Sequence, residues 1–122
     1  MNQITIEIAV QEDTSGYWLL DDMSASQGRA DLISNGGFEY NLTNWTMTIY
    51  PNATSATEVV SLSGSGHTGN AYLYGSSVNA PVYIKQTFSI IPNENILINF
   101  WWDYFPALGT SSGISELTIT LT

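Results

Sequence analysis

The chain has 122 residues, enough for one domain, and only 11% of them are charged against roughly 25% in a typical soluble domain, so its surface is expected to be mostly Ser, Thr, Asn and Gly. Lys85 and Arg29 are the only fixed cations against eleven carboxylates, a formal charge of −9, which leaves no basic stripe to track phosphates and argues against nucleic acid and anionic membrane as partners. No cysteine is present for disulfide or thiolate chemistry, and no stretch approaches the roughly 20 apolar residues of a membrane helix.

Ile4, Ile6, Ile8 and Val10 alternate with Thr5, Glu7 and Ala9, the period of a half-buried strand rather than of a leader segment. The turn QEDTSG follows, and Tyr17 to Ala25 reads as a second strand, so residues 1–25 are expected to form a hairpin. Residues 26–31 (SQGRAD) are a polar connector. In residues 32–122, Asn-Gly-Gly at 35–37 marks a kink and Trp45 a core anchor. Strands are expected at Thr46 to Tyr50, Thr57 to Leu62, Asn70 to Tyr74, Val82 to Ile90, Ile96 to Phe105 and Glu116 to Leu121. Short strands punctuated by Gly, Pro, Asn and Ser, with no helical period between them, predict an all-β antiparallel sandwich.

Two segments carry a likeness. Asn35, Gly36, Phe38, Glu39 and Trp45 resemble the Asn-Gly-x-Phe-Glu…Trp opening of carbohydrate-binding-module and galactose-binding-like jelly-roll domains. Trp18, Asp21, Asp22 and Met23 resemble the Trp-x-x-Asp-Asp strand that closes them. The resemblance implies a jelly roll of extracellular or cell-surface type. Here the closing segment stands before the opening one, so residues 1–25 look like the last two strands of the fold and residues 32–122 like a body that lacks them. The segment can complete its own body, as in a circular permutant, or that of a neighbouring copy. The ends of the given chain fall beside strands, which is expected of a unit that plugs into the next copy. Donation between subunits would place Ile4, Ile6, Ile8, Val10, Trp18 and Leu20 at an assembly interface, and non-closing head-to-tail contacts make a filament.

The resemblance also implies a structural calcium held by Glu39 and Asp22, with Thr68 and Asn70. A chain this acidic invites a hard cation, although both carboxylates can equally be solvated. Gly64, Gly66 and Gly69 match G-x-G-x-x-G, but a strand-like NAYLYG follows where a dinucleotide site needs a helix, so a tight turn is the reading. His67 is the only histidine, and with no cysteine a nucleophile and base would have to be one of many serines plus this one loop residue. Glu58, Glu94, Asp103 and Glu116 show no paired spacing. An enzyme is therefore not expected.

Asn41, Asn44 and Asn52 head N-x-Thr glycosylation sequons, Asn52 in the most loop-like setting. Ile96, Ile98, Phe100, Trp102 and Tyr104 share one parity and read as a core face. Trp101 lies on the other face with Asn99 and Asp103, which suits a sugar subsite or a subunit contact. Two functions stand open on these residues: a filament subunit joined by strand donation to copies of itself, or a monomeric permuted module that binds glycans.

Overall fold

The computed structural model describes residues 2–12, 16–105 and 116–122, and the regular elements within them are all strands. In chain order they are β1 (Gln3–Gln11), β2 (Tyr17–Gln27), β3 (Ala30–Asp31), β4 (Thr46–Ile49), β5 (Thr54–Ser55), β6 (Glu58–Ser61), β7 (Ala71–Gly75), β8 (Ser77–Val78), β9 (Val82–Ser89), β10 (Leu97–Phe105) and β11 (Glu116–Leu121). Two antiparallel sheets carry the fold. One has the order β11-β1-β9-β4, the other β10-β2-β7-β6 with β3 added to the end of β2, and β5 and β8 make a small ribbon.

Alternation explains how the sheets meet. Ile6, Ile8 and Val10 of β1 and Val82, Ile84 and Phe88 of β9 point to one side, and Leu20, Met23 and Ala25 of β2 and Ala71 and Leu73 of β7 meet them from the other sheet. Phe38 and Trp45 stack on each other at 5.6 Å and close one end of the core. The Trp45 Nε1–H donates to the Asn35 carbonyl at 2.9 Å, which fixes the segment between them.

The hairpin expected over residues 1–25 is not what forms. β1 and β2 stand in opposite sheets, β1 between β9 and β11 and β2 between β7 and β10. The physical reason is that each strand presents a buried apolar face, and two such faces are better covered by each other across the sandwich than side by side in one sheet. Residues 13–15 of the expected turn lie outside the described residues. The polar connector is also structured: Ser26 pairs with Asp31 and Gln27 with Ala30 around a two-residue Gly28-Arg29 turn. Gly28 has φ +64°, the left-handed conformation that such a turn demands at its first central position.

β2 is not regular. Its partners on β10 jump from Asn99↔Ser24 to Trp101↔Asp21, so Asp22 and Met23 together oppose Phe100. This is a β-bulge, and Asp22 takes the left-handed conformation within it (φ 53°). Before the bulge Leu20 faces the core; after it Met23, Ala25 and Gln27 do. The loop after β3 docks there, with the Met23 N–H donating to the Gly36 carbonyl at 3.0 Å. Gly36 must be glycine, since a Cβ would lie 1.8 Å from the Met23 carbonyl oxygen.

Candidate functional site

The bulge gathers three carboxylates under one loop. Asp21 is fully buried: its Oδ1 accepts the Asp22 N–H at 2.7 Å, and its Oδ2 accepts the N–H groups of His67 at 2.8 Å and Thr68 at 3.4 Å. Asp22 turns the other way. Its Oδ2 lies 2.6 Å from His67 Nδ1, and its Oδ1 accepts the Thr68 hydroxyl at 2.5 Å. Glu39, from the loop after β3, accepts the N–H groups of Asn70 (2.9 Å) and Ala71 (2.8 Å). The turn between β6 and β7 is thus clasped along one side by carboxylates that receive its backbone donors. Burial pushes the Asp21 carboxyl above the usual carboxylate range and the neighbouring Asp22 carboxylate adds to this, while the N–H groups it accepts pull the other way.

The residues expected around calcium all belong to this clasp. Glu39 pairs with the backbone of Asn70, whose own Oδ1 accepts the Gly64 N–H at 2.7 Å, and Asp22 pairs with Thr68 and His67. They form separate hydrogen-bonded pairs rather than one oxygen cage, and among the described residues no group of three or more His, Asp or Glu stands close enough to hold a metal. Asp21, which the sequence matches to the closing-strand motif without giving it a role, is the central residue; two adjacent acids inside a strand are the signal, because only a bulge lets both be used.

Trp101 does lie on the outer face of β10, opposite Asp21. Its ring is stacked under His67, with centroids 4.8 Å apart and planes at 15°, so one of its faces is already covered. The core face expected for β10 is corrected: Trp102 is 53% exposed and Phe100 37%, with Ile98 and Tyr104 half-buried. β10 ends its sheet, and only β2 flanks it among the described strands. Tyr104 and Trp102 pack on Trp18, at 4.3 and 5.8 Å between centroids.

Of the expected interface residues, Ile6, Ile8, Val10 and Leu20 are fully buried and Ile4 and Trp18 pack half-buried against the same core, all within the one chain. Asn41, Asn44 and Asn52 are all exposed. Asn44 Nδ2 donates to Ser34 Oγ at 2.9 Å, whereas Asn52 sits in a turn closed by the Ala53 N–H to the Tyr50 carbonyl. A groove that the sequence did not signal crosses the outer face of the β11-β1-β9-β4 sheet. It consists of two hollows of about 270 and 320 Å³ that share Glu7 and Tyr83. Tyr50 meets Tyr83 edge-on at 5.5 Å, and Gln11, Lys85, Thr118 and Thr120 surround them. No family model, curated protein or solved structure matches the chain.

Proposed function

We propose that the protein is a structural subunit, a jelly roll of the cell exterior that assembles head to tail by exchanging its first two strands between copies. The observation that supports this is the place of β1 and β2. Each is an inner strand of a sheet, and the Gly28-Arg29 turn is what links the pair to residues 30–122. Without them β10 and β11 have no partner among the described strands and the inner faces of β7 and β9 lie open, so the body calls for two strands. Exchange preserves every core contact and changes only the hinge. It opens the Ser26–Asp31 and Gln27–Ala30 pairs and the bonds from Ala25 and Ile33 N–H to Asp31 Oδ1. Residues 26–31 drawn out then reach roughly 20 Å. A two-residue hinge is the kind that favours exchange, and exchange in one direction does not close.

Thr5 and Thr87 give a direct test. They face each other across β1 and β9 with hydroxyls 2.7 Å apart, in a chain with no cysteine. In Thr5→Cys/Thr87→Cys, exchanged strands give a covalent ladder on a non-reducing gel. An internally bridged monomer at every protein concentration overturns the reading.

The groove supports a second function, glycan binding. Paired tyrosines offer stacking surface, and Glu7, Gln11 and Lys85 offer hydrogen bonds. On that reading a glycan array gives hits that Tyr83→Ala removes; an array without hits removes the reading.

A further inference from the structure

β10 combines features that a sheet edge rarely carries together. It is nine residues long, it ends its sheet among the described strands, and Asp103 is its single charge, with neither Lys nor Pro within it to blunt it. The bulge opposite it belongs to β2, so β10 itself runs regularly, and among the described residues no strand pairs with its far side; its Tyr104 N–H donates to the Asp103 carboxylate at 2.8 Å, a bond that an incoming strand would replace. Long apolar edges are templates for another strand. Leu97 is 60% exposed, Trp102 53%, Phe105 40% and Phe100 37%.

We infer that β10 is the contact of a two-fold homodimer in which two copies of the strand pair antiparallel, centred on Trp101. The sequence LINFWWDYF supports this register because it is self-complementary about its middle. Leu97 then faces Phe105 of the other copy, Ile98 faces Tyr104, Phe100 faces Trp102 and Trp101 faces its own counterpart. The polar residues also match, Asn99 opposite Asp103, so neither carboxylate meets its twin. A two-fold contact requires such self-complementarity, and cross-strand aromatic and amide–carboxylate pairs stabilise it.

The area agrees with a stable dimer. The exposed parts of the four apolar side chains amount to roughly 400 Å² per copy, taking aromatic side chains at about 150–250 Å². Two copies with their backbones then bury about 1,000 Å² in all, the lower bound for a specific interface. The other charges of the chain repel across longer distances and are screened at ordinary ionic strength, where the Debye length is about 8 Å. This contact uses neither the hinge nor the strands exchanged above, so it stands whether or not exchange occurs. Where both occur, it joins filaments side by side.

Sedimentation equilibrium on the whole chain, with two sets of variants, tests it. Asn99→Asp places carboxylates opposite each other twice, because the axis doubles the pair, and is expected to weaken the dimer about tenfold. Adding Asp103→Asn to it exchanges the two partners and restores the dimer. A wild type that remains monomeric at millimolar concentration, a single variant without effect, or a double variant that stays weak overturns the proposal. A second arm replaces Asn99 and Asp103 both by Cys. Within one chain they are about 13 Å apart along the strand and cannot bridge. The centred register therefore yields a covalent dimer and nothing larger, while a ladder or no cross-link contradicts it.

Discussion

β1 and β10 are both nine residues long, yet one is well protected and the other among the least protected strands of the fold. Ile6, Ile8 and Val10 are completely buried, because β1 has β11 on one side, β9 on the other and the second sheet across from it. Trp102 points to the same side as Leu20, its partner on β2, but nothing flanks it on the far edge among the described strands. Alternation sets which face of β1 is apolar, whereas β10 carries aromatic residues on both of its faces. Whether an apolar face is covered depends on the strand's place in the sheet.

The contrast rests on β2, which separates the open edge from the rest of its sheet. The largest effect is expected from Gly36→Ala. The added methyl enters the Met23 carbonyl and forces the loop off the bulge, a loss of more than about 4 kcal/mol read by urea melts, or failure to fold. Ile8→Ala should cost about 2–5 kcal/mol, since it empties a site enclosed on all sides. Asp21→Asn sharpens the picture through pH. The folded pKa of Asp21 lies above its ordinary 3.8, so its contribution to stability is fully present below 3.8 and is lost as pH rises through the raised value. The stability of the wild type minus that of Asp21→Asn should accordingly fall with rising pH over that window. A flat difference contradicts burial of the charge as the cause. The smallest effect is expected at the edge: Trp102→Ala, half-exposed, should change monomer stability by less than about 1 kcal/mol. A loss there as large as that of Ile8→Ala would erase the comparison.

Much of the strand order was legible. The strand expected at Glu116 to Leu121 forms over those residues, and Val82 to Ile90 and Ile96 to Phe105 differ from β9 and β10 by one terminal residue each. Partnership was not legible, because a period of two says nothing about which strand lies alongside. β1 and β2 were therefore read as a hairpin when they face each other across the core. The bulge hid in the same way. Asp21 and Asp22 on a regular strand point to opposite faces, and only the two-against-one pairing at Phe100 lets both serve one loop. The groove around Tyr50 and Tyr83 depends on β4 lying beside β9, a pairing that no local pattern announces.

The register of β1 also governs when the fold can close. Thr5 meets Thr87 across 82 positions of chain, and β11 is added on the other side of β1. At about 5–20 residues per second during synthesis, β1 waits roughly 4–16 s for β9 to exist. Folding dominated by such distant pairings is slow even when the whole chain is present, in the range of milliseconds to seconds. Throughout that wait the isoleucine face of β1 is without its cover, and a neighbouring chain that already displays a free β9 can take it first. If the strands exchange as proposed, crowding of nascent chains decides between a closed monomer and a linked one before either is at equilibrium.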